Sequence, residues 1–505
     1  MSSTNAEKSM QGRLEQLQAA CTKLNEALNC GLYAQMTAEI QTLQRIRHSK
    51  GWKLYLGKRA VLCALRERRL FRLAGSIVHR DTGGIRASLL REDWLRPVRK
   101  ALEDGERALA ENEAGLQQLI KDQQEAILEL IDAYQDAGKG AMVIMAPYFT
   151  PERLADGYFQ RVQAIDRLLP PESLKIYASW LDADDVRGVP RVSVWDDTHM
   201  EIRYPHPDTA NDERIHQIAL RAGTVYHHSI AFANELVTRD GAIRKAFDMH
   251  GAYPEELRMY GRSEQAELDE RQEKLAMEHG QCLICVTQSM VRHLTEKYGR
   301  IPEKVILLPI FDESRLQQCS GLKKKPCKKS EVVYAGGMQK WQNVKTMQDA
   351  VRRTEGRFRY RFYTPEPGAF WKAWGRRRRP RDTEVCSRTP DEVTAAYASC
   401  DYGFLLRDDI AVNRVACPTK LVEYLAAGII PILLTANIGD FVQDGMAYIS
   451  LDDFLSGKLP SEAEKDIFIR QNMEVVQRLK ERYRQGKNAL NTWLEANEKR
   501  EGENR

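Results

Sequence analysis

The chain has 505 residues, a hydrophobic fraction of 43% and a formal net charge of +5. That length exceeds one ordinary domain and predicts two or three, with apolar residues enough for a core in each. The modest charge makes no demand for nucleic acid as a partner. No uncharged apolar run reaches the roughly 18 residues of a membrane span, and MSSTNAEKSM is not a secretory signal. Ten irregularly spaced cysteines fit a reducing cytoplasm better than a disulfide framework.

Residues 1–139 read as a helical region. Met10, Leu14, Leu17, Cys21, Leu24 and Leu28 alternate spacings of four and three, a heptad seam. A second seam runs through Leu102, Leu109, Leu116, Ile120, Ile127, Leu130 and Tyr134, interrupted by Glu106, Glu113 and Gln123. Three arrangements are open: a hairpin of the two helices, an intermolecular coiled coil that makes a homo-oligomer, or ordinary bundle helices. Between the seams, Arg45 to Lys100 carries sixteen Lys/Arg against four Asp/Glu, interleaved with Trp52, Tyr55, Leu56, Leu62, Leu65 and Leu70. That composition fits either an amphipathic segment on an anionic membrane surface or a solvated basic helix beside the acidic stretch 101–140. RNA is disfavoured, because no single-strand-binding motif accompanies the charge.

From Gly140 the rhythm changes to short apolar runs of strand length, AMVIMAP, LKIYASW, VSVW, GTVYHH, AIRKAFDMHG, CLICVT and KVILLPI, several of them separated by helical stretches. This predicts an α/β domain over 140–320. GLKKKPCKKS (321–330) reads as a linker. EVVYAGG, YRFYTPEP, DYGFLL and IIPILL begin a second α/β series over 321–455. The fold class is therefore two doubly wound, Rossmann-like domains behind an N-terminal helical region. Charged helices over 456–505 follow. Cys282 and Cys285 lie three apart on a strand and point to opposite faces, which disfavours a metal or redox pair. No His/Cys set has structural zinc spacing. GRRRRPR (375–381) reads as an exposed insertion, either solvated or against an anionic acceptor.

Five segments carry candidate chemistry. In 401–435 an apolar strand, Tyr402 to Leu406, ends in a charged loop, a helix begins at Pro418 with Thr419, Lys420 and Glu423 in its early turns, and Gly428 stops it before a second strand. The helix start suits a phosphate, Lys420 adds charge there, and Glu423 could accept sugar hydroxyls. Arg407, just past the strand, could clamp a phosphate, or it pairs with Asp408 or Asp409. In 332–343 a strand runs into Gly336-Gly337 and then Lys340, a backbone and a cation able to approach a pyrophosphate, without a full dinucleotide fingerprint. In 246–262 a strand delivers Asp248 and His250 to its carboxyl end, followed by Pro-Glu-Glu with Glu256. His227, His228 and Ser229 end another strand. In 155–166, Gly157 and Arg161 follow the first strand of their domain.

The order of these segments across about 141–450 resembles GT-B glycosyltransferases of the bacterial family-four kind. The resemblance implies a nucleotide-sugar donor, and a glycan or lipid-linked acceptor in surface polysaccharide assembly. It also implies retention of anomeric configuration, chemistry without a metal or other cofactor, and a final segment crossing back onto the first α/β domain. By resemblance Gly336, Gly337, Lys340, Arg407, Thr419 and Lys420 hold the diphosphate and Glu423 the ribose. Asp248 and His250 border the reacting sugar, and Gly157, Arg161, His228 and Glu256 lie on the sugar or acceptor side. One departure stands out: the paired acid eight residues before Glu423 is Val415 here. Two rivals follow, a scaffold that no longer turns over, and a metal-dependent enzyme using the DxD of Asp182, Asp184 and Asp185. The expected location is cytoplasmic, either free or peripheral on the inner membrane face.

Overall fold

The computed structural model describes residues 2–29, 92–181, 189–206, 208–325 and 328–495. Most of the basic segment, 45–91, and the three DxD aspartates lie outside the described residues. In chain order the first strands are β1 (Ala141–Met145), β2 (Leu174–Trp180), β3 (Arg191–Val194), β4 (His199–Tyr204), β5 (Thr224–His227), β6 (Arg244–Met249), β7 (Cys282–Cys285) and β8 (Lys304–Leu307). Then come β9 (Glu331–Ala335), β10 (Arg359–Tyr363), β11 (Thr383–Cys386), β12 (Tyr402–Leu405), β13 (Ile430–Leu433) and β14 (Ile449–Ser450). The chain divides into two compact units, Met1–Gly138 with Leu181–His206, and Lys139–Trp180 with Pro207–Arg505.

The smaller unit is built on two helices, Ser2–Asn29 and Glu92–Asp136. Every residue of the first seam is buried, as are Leu116, Ile120, Ile127, Leu130 and Tyr134 of the second. The helices run antiparallel: Arg13 meets Glu129 at 2.6 Å, Gln123 donates to Cys21 Sγ at 3.3 Å, and Leu24 and Leu28 share a core with Leu116 and Ile120. Gln123 thus interrupts the apolar seam and still finds a partner inside it, as a buried amide must. The antiparallel hairpin β3–β4 belongs to this unit.

The larger unit holds two parallel sheets. In the first, β2-β1-β5-β6-β7-β8 lie side by side in that order. In the second the order is β11-β10-β9-β12-β13-β14. Counted from β9, this is the 3-2-1-4-5-6 order of a doubly wound dinucleotide-binding sheet. The strands are short, and β1, β7, β9, β12 and β13 are buried along their whole length, while the edge strands β8 and β11 are partly exposed. Strands covered on both faces need that continuous apolar character. The architecture is therefore α/β with two Rossmann-like sheets, the GT-B arrangement, behind an N-terminal helical region.

The two sheet halves share one core cluster, which includes Ile144, Tyr177, Leu421, Tyr424, Val475 and Tyr483. The helix Glu462–Glu495 touches both halves. Arg482 grips Asp444 at 2.9 and 3.1 Å and Asn472 pairs both ways with the Ala447 backbone, while Arg244 at the start of β6 lies over the Trp493 ring at 3.9 Å. A second tie joins the halves directly. Asp440, beyond β13, accepts the backbone N–H of Gln288 at 2.5 Å and of Ser289 at 2.8 Å, at the start of the helix Gln288–Tyr298 beyond β7. Thr287, which caps that helix through Met290 N, donates its hydroxyl to Val415 O at 2.7 Å.

Candidate functional site

In a doubly wound sheet, ligands gather at the carboxyl ends of the strands where the winding reverses. The reversal falls between β1 and β5 in the first sheet and between β9 and β12 in the second. The segments after those four strands carry Gly157 and Arg161, His228, Gly336 and Gly337, and Arg407. Topology therefore brings candidates from distant parts of the sequence to the expected edge of each sheet.

On the first sheet they form one buried cluster. Arg161 sits on the helix Gly157–Asp166, whose start is capped by Asp156 accepting from Tyr158 N. Its Nε and Nη2 donate to the two oxygens of Asp248 at 3.0 and 3.1 Å, with side chains 3% and 0% exposed. Tyr226 donates to the same carboxylate at 2.7 Å. Burial alone would raise the Asp248 pKa, but Arg161 and the neighbouring histidines hold it below the usual range. The Asp248 carboxylate is thus engaged by Arg161 and Tyr226. Tyr226 was missed because a tyrosine inside an apolar strand reads as core.

His228 and His250 lie over each other, ring centres 4.8 Å apart, with Tyr158 edge-on to His228 at 4.7 Å. Burial pushes both imidazole pKa values down, that of His228 the further, so both rings are neutral near neutral pH. Both nitrogens of His228 and Nδ1 of His250 have no hydrogen-bond partner among the described residues. His227 instead stacks on Phe247 in the core at 4.2 Å, and Ser229 accepts from Ala231 N. His228, Asp248 and His250 come within 4.8 Å of one another, close enough to hold a cation. A dication there would have to share the carboxylate with the Arg161 guanidinium already bound to it, which the charges oppose. Gly157 is exposed with open space around it. Glu256 is half-buried, and desolvation raises its pKa.

On the second sheet the backbone after β9 passes tightly. A Cβ on Gly336 would come within 2.8 Å of the Tyr334 hydroxyl, which itself donates to Gly337 O at 2.5 Å. Arg407 follows β12; the residue is partly exposed, and its Nε is buried without a partner among the described residues. Burial draws its pKa down to about 10, with Tyr334 opposing. The Asp409 alternative fails, since that carboxylate goes to Arg414 at 2.5 Å and Asn437 at 2.8 Å. Arg407 is a desolvated guanidinium facing no carboxylate among the described residues.

The next helix, Thr419–Ala426, starts one residue after the expected Pro418, which supplies no side-chain cap. Tyr424 fixes its position: the ring lies where a Cβ on Gly403 would be 2.6 Å away, and its hydroxyl accepts from Ala335 N at 3.1 Å. Thr419 is exposed and Lys420 partly so. Glu423 is buried and held by Lys420 at 3.1 Å, Tyr397 at 3.1 Å and Arg315 at 3.8 Å. Arg315 and Tyr397, on other helices, were not foreseen. Lys340 donates to Met259 O at 3.1 Å and lies over the Tyr260 ring, so it contacts the first half of the unit. Val415 is buried in an apolar cluster with Met290 and Val291.

The two clusters approach each other around β8's exit. Arg161 Nη1 donates to Pro309 O at 3.4 Å, while Cys417, just before the helix, donates to Ile310 O at 3.8 Å. Two described cavities lie elsewhere. One of about 230 Å³ is lined by Ser289, Arg292 and His293 from the first half and Arg414, Asn437 and Gln443 from the second. Another of about 650 Å³ lies between β8 and the helix Glu462–Glu495.

No protein-family model matches this chain, and no curated protein does. Solved structures do show similarity. A trehalose-6-phosphate synthase described as OtsA is 11% identical at a TM-score of 0.46, over 72% of this chain and 99% of its own. A UDP-forming alpha,alpha-trehalose-phosphate synthase from Burkholderia vietnamiensis is 12% identical at 0.46, over 72% and 97%. A GtfA/B complex is 12% identical at 0.43, over 59% and 63%. The architecture itself rests on the strand orders above.

Among the described residues no helix is long and apolar enough to cross a membrane.

Proposed function

We propose that the chain is a glycosyltransferase that moves a sugar from a nucleotide-sugar donor to a glycan or lipid-linked acceptor. The observation that carries this is Arg407, partly exposed, its Nε buried without a partner and no carboxylate facing it among the described residues, at the switch point of a 3-2-1-4-5-6 sheet. A desolvated cation in that position is complete only with an anion. The uncapped helix start at Thr419 and Lys420 adds N–H groups and charge beside it. The residues 321–455 would bind the donor and 140–320 the acceptor, with 456–505 bracing both.

The chemical difficulty is the departing nucleoside diphosphate, whose negative charge grows as the glycosidic bond breaks. Arg407, Lys420 and the helix start would stabilise it electrostatically. Lys340 would join them by exchanging the Met259 carbonyl for phosphate. Glu423, oriented by Tyr397 and Arg315, would accept ribose hydroxyls. His250, neutral and with Nδ1 free, would face the sugar being transferred, and Arg161 would fix Asp248 behind it as a positioning pair. Retention, a role in surface polysaccharide assembly, function without a metal and membrane attachment through residues 45–100 belong to this reading as further proposals.

A second reading, a scaffold that keeps the fold without turnover, is favoured by the internal bonds that already occupy Glu423 and Lys340. Calorimetry and slow donor hydrolysis with UDP-, GDP- and dTDP-sugars decide between them. Binding lost in Arg407→Met supports the enzyme; no binding of any donor by the wild type supports the scaffold.

A further inference from the structure

The connection between the helix Pro367–Trp374 and β11 holds Arg376, Arg377, Arg378, Arg379 and Arg381, all exposed. It precedes β11, so it lies at the amino end of a parallel sheet, the pole opposite the carboxyl ends that carry the candidate site. The turn before β10 lies at the same pole and adds Arg353 and Arg357, both exposed. From Lys345 to Arg381 there are twelve Lys/Arg and three Asp/Glu. Two of those acids are already neutralised, Asp349 by Arg352 and Glu355 by Arg378. Lys372, Arg376, Arg377, Arg379 and Arg381 have no carboxylate within 4.0 Å among the described residues.

Two tryptophans hold this charge outward. Trp371 and Trp374 meet edge to face, ring centres 6.0 Å apart. Arg379 covers Trp371 at 4.4 Å and Arg352 covers Trp374 at 4.8 Å, while Trp374 Nε1 donates to Arg378 O at 3.3 Å. A guanidinium stacked on a ring keeps its edge N–H groups free for phosphate. Four consecutive arginines are otherwise mutually repelled, and this ring platform fixes the loop against that repulsion.

The geometry points to this pole as a docking surface for an anionic lipid bilayer. The charges are spread over an exposed loop and a turn, neither described cavity opens there, and the rings are capped by Arg or buried and so unavailable for stacking bases. That favours a flat array of headgroup phosphates over a single-stranded nucleic acid. Docking through this pole would leave the opposite, carboxyl-end face open to solution. The inference stands independently of the glycosyltransferase reading and separately from residues 45–100, which the variant below leaves intact.

The test is sedimentation of the full-length protein with vesicles of phosphatidylcholine alone and of phosphatidylcholine mixed with phosphatidylglycerol, an anionic lipid surface, at low and high salt. R376E/R377E/R381E avoids the stacked Arg379 and the paired Arg378, and its melting temperature checks folding. Wild-type protein should prefer the anionic vesicles at low salt and lose that preference at high salt. The charge-reversed variant should partition at least about tenfold more weakly, since each basic group near such a surface contributes about one factor of five, and R376K/R377K/R381K should bind as wild type. Equal partition of wild type and charge-reversed variant overturns the proposal. So does tighter binding to poly(dT) than to anionic vesicles.

Discussion

Replacing Arg161 with methionine isolates the strongest electrostatic feature of the first sheet. The methionine fills much of the arginine stem's volume and removes only the charge and its donors. Asp248, 1% exposed, is left with the Tyr226 hydroxyl and a His228 nitrogen 3.9 Å away. Breaking a buried pair in this way costs about 3–5 kcal/mol, because one charge stays buried without its counterpart. Chemical denaturation followed by circular dichroism should show a lower midpoint at unchanged slope. The pH dependence gives the sign. In the wild type the Asp248 pKa is depressed, so its contribution is present above the unfolded value near 3.9 and lost as pH falls through the folded value. In Arg161→Met the largest charge opposing burial is gone, so that pKa rises relative to the wild type and the ionised carboxylate is penalised more than the protonated carboxyl. The gap between wild type and variant should therefore widen from pH 5 to pH 8. Arg161→Met/Asp248→Asn should recover part of the loss by removing the stranded charge. A gap below about 1 kcal/mol, the range of an exposed pair, or a gap that narrows toward pH 8, would refute the account of this cluster.

Four further outcomes are expected. Arg407→Met should leave the free protein about equally stable, since it removes a partly desolvated guanidinium with no carboxylate facing it among the described residues, while abolishing donor binding in calorimetry. Lys420→Ala should lower turnover by about 10²-fold, in line with removing one transition-state donor, with activity maintained in chelator. Glu423→Ala should weaken nucleotide binding by about 1.5–3 kcal/mol, the value of hydrogen bonds to a charged group, whereas His250→Ala should lower turnover at nearly unchanged nucleotide affinity. Because burial keeps His250 and His228 neutral, turnover that depends on the free imidazole should stay level from pH 8 down to about 6.5, the ordinary histidine value; a decline centred there in a pH profile would contradict it.

Much of this fold could be read from the chain alone. The parallel strands announce themselves as unbroken apolar runs, and both helical seams show their period directly. Strands β4, β11 and the two-residue β14 were not legible. HMEIRY alternates Met200, Ile202 and Tyr204 with polar residues, the period of a strand whose two faces meet different surroundings, and TEVC is a short, half-buried edge. The grouping of Leu181–His206 with the N-terminal helices was equally hidden, because contacts across such sequence separation leave no local pattern. The candidate residues themselves were recognisable by strand ends and turn signals, but their partners were not. Arg161 and Asp248 are 87 positions apart, and Arg315, Tyr397 and Glu423 come from three helices whose sequences say nothing of one another. The GRRRRPR stretch looked like an insertion because the short strand it leads into escaped notice.

The hydrogen bonds from Gln288 and Ser289 to Asp440 make one half of the larger unit the finishing piece of a helix in the other. Two amide protons are thereby turned into a gauge. Were the halves to swing apart to admit or release a substrate, those N–H groups would be the first to lose their acceptor, and the opening turn of Gln288–Tyr298 would fray with them. The rate at which Gln288 and Ser289 trade hydrogen for deuterium would then count openings directly, with no label attached. Anything that seals the halves together should slow that exchange while leaving the rest of the helix at its own pace.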